Sequence, residues 1–306
     1  MTTELRLRSR ISDAAIKTHL AGKVLGAADF DVLLTGATRV HMPDGRPLCV
    51  YLPGALADVA ADPDIYRVLT SLSSIVTSNR GAASGTKRIA YSRPEGRSSR
   101  SRAMDIPSVV LGAVDDVGSR HYCRLTAWTG THLPEWQTLH PLLAQVAHHL
   151  AAHVPDRYAA QVAEVDRTDP AWTVPGTPFS TVTVNNTYPT GVHTDKGDLD
   201  AGYSTIAVLR RGHYDGGQLV FPAWRVAVDL ADGDLLLMDA HQWHGNVTIT
   251  CACGQLTNGP CRTCGAERIS VVAYYRTRLV DCGPPEVELR RAEAGRTRLT
   301  TAGDAP

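Results

Sequence analysis

The chain has 306 residues, 43% of them hydrophobic, with Lys+Arg and Asp+Glu balanced at 31 each and a formal net charge of +0 at pH 7. So much apolar surface builds a globular core, in one large or two ordinary domains, and excludes a disordered chain. Balanced charge excludes a global polybasic field, so a nucleic-acid partner must be met by a local patch, and without a signal-peptide core or an apolar run of spanning length the expectation is a cytoplasmic monomer with no membrane partner.

Residues 1 to about 75 mix short helical signals with β-prone pieces such as RPLCVYLPG. A helix is expected from about Asp64 to Val76, where Ile65, Val68, Leu69 and Leu72 fall on one face. Over residues 78–102 apolar periodicity vanishes, and Arg80, Lys87, Arg88, Arg93, Arg97, Arg100 and Arg102 face a single acid, Glu95, with Tyr91 among them. This basic loop is read either as a solvated flexible segment or as an arm lying along a polyanion, with Arg93 and Arg97 as candidate phosphate contacts.

Residues 134–164 carry Leu142, Leu143, Val146, Leu150 and Val154 at helical spacing with Pro155 interrupting the run, which predicts one long or two consecutive amphipathic helices. His149 and His153 sit four apart there, but the glutamate of a helical zinc-protease motif is missing and surface histidines account for them. After about Pro178 short β-runs follow one another: TVTVNN, STIAVLRR, GQLVFPAW, RVAVDL, GDLLLMDA, NVTITC and ISVVAYYR, separated by Gly, Asp and Asn turns. Many short strands at this spacing read as a sandwich or barrel.

Within this region GVHTDKGD places His193 and Asp195 two apart at the end of the first strand, so that both side chains leave one face of an extended chain and can grip one cation. A facial triad needs a second histidine from a distant strand. GDLLLMDAHQWHGNVTI offers His241 and His244, of which His244 is preferred because the Gly245-Asn246 turn follows it, with His241 the fallback. Further on, Arg268 and Ser270 alternate onto one face of a buried-looking strand, where an arginine needs an anion such as a dicarboxylate to meet it.

Taken in order, the H-T-D of His193 to Asp195, the strand STIAVL, the WHGN around His244 and the RISVVAYY from Arg268 resemble the 2-oxoglutarate and Fe(II) dependent dioxygenases, and within them the TET/JBP group, which oxidise the 5-methyl group of pyrimidines in DNA. The resemblance covers roughly residues 178–280. It implies an α+β fold with a double-stranded β-helix (jelly-roll) core and flanking helices. Iron would be held by His193, Asp195 and His244, and 2-oxoglutarate by Arg268 and Ser270. It implies DNA containing 5-methylcytosine as the partner and places Tyr274 against an extruded base. Two departures bear on the base: Arg276 stands where TET enzymes place a histidine, and Asp198 stands near a base-contacting asparagine. A carboxylate at 198 can accept from the amino group of cytosine, whereas thymine offers no such donor, so 5-methylcytosine is the expected substrate and 5-hydroxymethylcytosine the product. A compact enzyme of this kind suits a phage or bacterial DNA modification system.

Between His244 and Arg268 lies CACGQLTNGPCRTCG, a C-x-C-x7-C-x2-C arrangement of Cys251, Cys253, Cys261 and Cys264 with glycines at the bends. Four thiolates so spaced can close a tetrahedral, structural zinc site that pins an inserted loop. Free thiols or one local disulfide are the alternative, and Cys49, Cys123 and Cys282 are scattered. The expected organisation is an N-terminal mixed helical/β region over 1–177, a dioxygenase core over 178–282 with the Cys-rich insertion 251–264, and a polar tail over 283–306. The competing functional readings are a hydroxylase of the same superfamily acting on thymine in DNA, on a small molecule or on a protein side chain, and a non-catalytic DNA-binding module.

Overall fold

The computed structural model describes residues 2–8, 11–75, 88–91, 100–103, 106–115, 122–256 and 259–303. It is a mixed α+β fold in which the chain forms two compact units interleaved in sequence. The first comprises Met1–Val109, Thr183–Lys196 and Thr205–Val272, the second Val110–Val182, Gly197–Ser204 and Ala273–Pro306.

The first unit is built on two sheets. In the larger, strands run in the order Thr3–Arg6, Thr38–His41, Pro47–Leu52, Asp234–Met238, Ser204–Arg211, Glu267–Tyr274 and Thr181–Asn186. The smaller has the order Gly245–Asn246, Leu219–Phe221, Val226–Val228 and Val32–Leu34. The central strands read as near-continuous apolar runs because both of their faces are covered: Asp234–Met238 is buried throughout. Val40, Tyr51, Val208, Leu236 and Met238 of the larger sheet share one core with Val220, Phe221, Val226 and Val228 of the smaller. One polar group is wired into that core. Asp234 accepts from the Tyr51 hydroxyl at 2.5 Å and from the Gly54 amide at 2.7 Å, so its burial is compensated by hydrogen bonds.

The second unit carries the helices read from residues 134–164. They are Leu133–Thr138, His140–His153 and Pro155–Val165. The break at Val154 has a physical cause, since Pro155 lacks an N–H to continue the preceding helix but suits the first position of the next. Leu142, Leu143, Val146 and Leu150 form the buried stripe of the longest of the three. A last helix, Pro285–Gly303, is anchored by Glu288, whose carboxylate accepts from the amides of Cys123 and Gly283.

Two expectations are corrected, and one cysteine pairing is added. The segment 78–102 is not without regular structure, because Arg88–Tyr91 pairs antiparallel with Arg100–Ala103; Arg93 and Arg97 lie outside the described residues. His193 does not end the first strand of its region, which stops at Asn186. It sits in the following loop, held by an isolated bridge instead of a ladder. Cys123 and Cys282, scattered in sequence, are joined as a disulfide. Among the described residues no helix is long and apolar enough to cross a membrane.

Candidate functional site

The segment that bears His193 is joined to the segment that bears His244 by a reciprocal pair of backbone hydrogen bonds. The His193 amide donates to the His244 carbonyl at 2.8 Å and the His244 amide returns to the His193 carbonyl at 2.9 Å. Glycines make this approach feasible. A Cβ on Gly245 would stand 3.0 Å from the Val192 backbone, and one on Gly191 would stand 2.7 Å from the Gly22 carbonyl oxygen. Beside the bridge, the buried Asn246 side chain accepts from the Thr190 amide at 3.2 Å and the Thr190 hydroxyl at 2.7 Å, while its own amide donates to the Gly217 carbonyl.

The imidazoles are oriented by the same backbone. Nδ1 of His193 lies 2.8 Å from the Gly191 carbonyl, and Nδ1 of His244 lies 2.9 Å from the Gln242 carbonyl. A carbonyl can only accept, so each Nδ1 carries the proton and each Nε2 keeps the lone pair a metal needs. Asp195 Oδ1 lies 3.4 Å from His193 Nε2, and its Oδ2 lies 3.9 Å from His244 Nε2. One ligand atom from each of the three residues lies within 4.8 Å of the others. Burial pushes the His244 pKa down to about 4, and the neighbouring His193 adds to the effect. His244 is therefore neutral near pH 7. Two imidazoles and a carboxylate on one side of a point suit an Fe(II) ion with open positions. His241 is engaged elsewhere, its Nδ1 3.3 Å from Asp239 Oδ1.

Arg268 and Ser270 occupy alternate positions of the strand Glu267–Tyr274, and both are buried. Burial disfavours the Arg268 charge, and no acidic side chain is paired with it among the described residues. Its main chain is fastened to Thr187, whose amide donates to the Arg268 carbonyl at 2.6 Å and whose hydroxyl accepts from the Arg268 amide at 3.0 Å. Thr187 adopts φ 46°, a left-handed conformation that a β-branched residue rarely holds. Next to Arg268, Glu267 accepts from the Tyr66 hydroxyl, the Thr70 hydroxyl and the Asn186 amide, each at 2.6 Å. Sequence reasoning missed Thr187, Asn246 and Glu267; only the N of WHGN drew notice, as a turn.

In the second unit Asp198 and Arg276 form an isolated antiparallel bridge, and Asp198 Oδ2 accepts from the Ser204 hydroxyl at 2.8 Å. The Arg276 guanidinium is paired with the buried carboxylate of Asp115, a partner the sequence did not suggest. Tyr274, at the end of its strand, is buried.

The four cysteines of the insertion also converge. Their sulfurs lie within 4.8 Å of one another on a hairpin formed by Ile249–Cys251 and Gly254–Leu256 and the turn that follows. Gly254 at φ 120° and Gly265 at φ 70° supply backbone conformations that side-chain-bearing residues rarely adopt. Amides of Cys264 and Thr263 directed at the Cys261 sulfur lower its thiol pKa to about 6. Contact with the sulfurs of Cys264 and Cys261 raises that of Cys253 to about 12.

With this geometry in place, a family model described as the oxygenase domain of the 2OGFeDO superfamily, Tet_JBP, matches residues 116–277, more than half of the chain. The chain belongs to the Tet/JBP family. Among Tet/JBP relatives, the thymine dioxygenase JBP1 of Trypanosoma brucei brucei is 33% identical over 180 residues, which are 59% of this chain and 20% of the relative. JBP1 of Crithidia fasciculata is 33% identical over 228 residues, covering 72% of this chain and 26% of the relative. The chain thus spans about a fifth to a quarter of the length of these relatives. The structure of NgTET1 in complex with 5mC DNA aligns over 92% of this chain and 100% of that one, with a TM-score of 0.53 and 14% identity, and so shares the fold.

Proposed function

We propose that the protein is an Fe(II) and 2-oxoglutarate dependent dioxygenase that oxidises the 5-methyl group of 5-methylcytosine in DNA, built on a jelly-roll core. The observation that carries the reading is the convergence of His193, Asp195 and His244 in a chain of the Tet/JBP family. These three residues would hold the iron, and Arg268 and Ser270 would receive 2-oxoglutarate. Bound together, iron and 2-oxoglutarate would use dioxygen from solution to hydroxylate a methyl carbon, one oxygen atom going to the methyl group and the other to the succinate formed as the keto acid loses carbon dioxide. This chain's residues have the remaining work. The two Nδ1–carbonyl contacts fix the imidazole orientation, Asp195 supplies the anionic ligand, and the buried Arg268 binds a carboxylate in a setting where water competes poorly.

A methyl group in duplex DNA reaches an enclosed site only when its nucleotide leaves the stack. Tyr274, Asp198 and Arg276 are the residues proposed to meet the base. The carboxylate of Asp198 favours cytosine through its amino group. Arg93, Arg97 and the surrounding basic segment are proposed to hold phosphates. In the insertion, Cys251, Cys253, Cys261 and Cys264 would bind a structural zinc, a role supported by the proximity of all four sulfurs and the low pKa of Cys261.

A second reading, oxidation of thymine, is favoured by the relatives named thymine dioxygenase. Mass spectrometry of nucleosides digested from DNA, after incubation with protein, Fe(II), ascorbate and 2-oxoglutarate, separates the two. On a substrate carrying 5-methylcytosine the expected product is 5-hydroxymethylcytosine, formed only with 2-oxoglutarate. Appearance of 5-hydroxymethyluracil alone selects thymine, and succinate formation with no altered base defeats both DNA readings. Alanine at His193 and Asp195 is expected to abolish the product; unchanged product would remove the triad from the chemistry.

A further inference from the structure

Thr187 holds a left-handed backbone, φ 46°, and its side chain is fully buried. A β-branched residue adopts that conformation at a cost that glycine would relieve. Threonine at such a position points to work done by its hydroxyl.

The hydrogen bonds of that hydroxyl show what the work is. The Arg268 amide can only donate, so at 3.0 Å the Thr187 Oγ1 accepts from it, and the single hydroxyl proton goes to Asn186 Oδ1, also at 3.0 Å. The Asn186 side-chain amide continues the chain to the Glu267 carboxylate at 2.6 Å. Meanwhile the Thr187 amide donates to the Arg268 carbonyl at 2.6 Å. Both main-chain polar groups of Arg268 therefore end on one residue, with the hydroxyl in place of the carbonyl that a hydrogen-bonded strand pair supplies.

The acid next to Arg268 in sequence is kept from neutralising it. Successive side chains of a strand leave opposite faces, and the Glu267 carboxylate is occupied by Asn186 and by the hydroxyls of Tyr66 and Thr70, each at 2.6 Å. The buried Arg268 guanidinium is left without an acidic partner among the described residues. One hydrogen-bonded chain thus fixes the Arg268 backbone and ends on the carboxylate that would otherwise compete for its charge.

We propose that Thr187 is a positioning residue for 2-oxoglutarate binding: its hydroxyl fixes the main chain of Arg268 so that the guanidinium meets the distal carboxylate in register. The inference rests on the reading of Arg268 as the 2-oxoglutarate anchor. In this role Thr187 acts through Arg268 and needs no contact with the ligand. A displaced guanidinium weakens the grip on the distal carboxylate and leaves the metal-chelating end of the ligand alone.

Calorimetric titration of the Fe(II)-loaded protein under anaerobic conditions, with 2-oxoglutarate and with oxalate as probes, tests this. Oxalate can chelate the metal but has no distal carboxylate. Thr187→Val keeps the branched shape and loses the hydroxyl. It should bind 2-oxoglutarate about fivefold more weakly, the size of one ordinary hydrogen bond, with oxalate affinity unchanged. Thr187→Gly relieves the backbone conformation but also lacks the hydroxyl, so it should show the same selective loss and serves if the valine variant does not fold. Thr187→Ser should restore native binding. Equal weakening of both probes, or a lowered urea midpoint with unchanged 2-oxoglutarate affinity, is what a merely structural hydroxyl would give, and either result overturns the proposal. A serine variant no better than the other two overturns it as well. Arg268→Gln is the control on the underlying reading. If it binds 2-oxoglutarate normally, the anchor assignment fails and the Thr187 role falls with it; if Arg268→Gln weakens binding and the valine and glycine variants do not, only the Thr187 proposal fails.

Discussion

Asn246 offers a quantitative test of how the candidate iron site is held together. Its side chain is buried, receives the amide and hydroxyl of the buried Thr190, and donates to the Gly217 and Gln218 carbonyls at 3.3 and 3.4 Å. In Asn246→Ala the two long contacts contribute little, but both Thr190 donors lose their acceptor. At about 1–3 kcal/mol per orphaned buried group, partly recovered by relaxation, the loss should be about 3 kcal/mol. Thr190→Val removes only the hydroxyl and keeps the amide contact, so about 1 kcal/mol is expected. Because the variants share one bond, the double variant should cost about 1 kcal/mol less than the sum of the singles. The backbone pair between His193 and His244 survives the substitution, so the fold should persist while Fe(II) affinity falls by about tenfold, as for residues that support metal ligands. Urea unfolding gives the stability term and Fe(II) titration the affinity. A Thr190→Val loss as large as that of Asn246→Ala, or an Asn246→Ala protein as stable as the native one, would refute the reasoning.

Protein purified without chelator should carry about one zinc per chain, released by a mercurial and absent from Cys253→Ser; disulfides among Cys251, Cys253, Cys261 and Cys264, found by peptide mapping, would contradict that. Arg276→Ala should destabilise by about 2 kcal/mol in urea, since it removes the near partner of the Asp115 carboxylate, whose side chain is 2% exposed, and leaves it only Arg278 at 3.8 Å. Arg276→Ala together with Asp115→Asn should recover part of that loss, and failure to do so would show the pair to be inert. His140 has a buried Nε2 without a partner, and burial lowers its pKa from 6.5. The folded form therefore binds fewer protons than the unfolded chain just below pH 6.5, so stability falls as pH drops through that window. Replacing His140 by Gln should reduce the slope of the urea midpoint between about pH 7 and 5, leaving the share that buried His244 contributes in the same direction; an unaltered slope would exclude His140 as a source.

Legibility in the sequence followed the range of the interaction. The helix break at Pro155 and the strand Asp234–Met238 could be read because proline chemistry and a continuous apolar run are local facts. The larger sheet's order could not, since neighbours such as Pro47–Leu52 and Asp234–Met238 are distant in sequence and only packing selects them. The same division runs through the candidate site. His193 and Asp195 announce themselves by spacing, whereas Asp115, which pairs with Arg276, lies in an apolar strand that reads as core.

Choosing between His241 and His244 shows where pattern ends and geometry begins. Both follow the same strand within six residues of its last residue, Met238, and sequence separates them only by the glycine after His244. The structure gives that glycine its reason. Gly245 lets the His244 segment approach Val192 closely enough for the two backbones to exchange hydrogen bonds, and any Cβ would stand 3.0 Å from the Val192 main chain. His241 has no such bridge and turns to Asp239. The candidate iron-site histidine is thus marked less by its own identity than by the small residue that lets its segment reach the partner segment. Gly191 before His193 serves a different approach, to the segment of Gly22, whose carbonyl a Cβ there would strike.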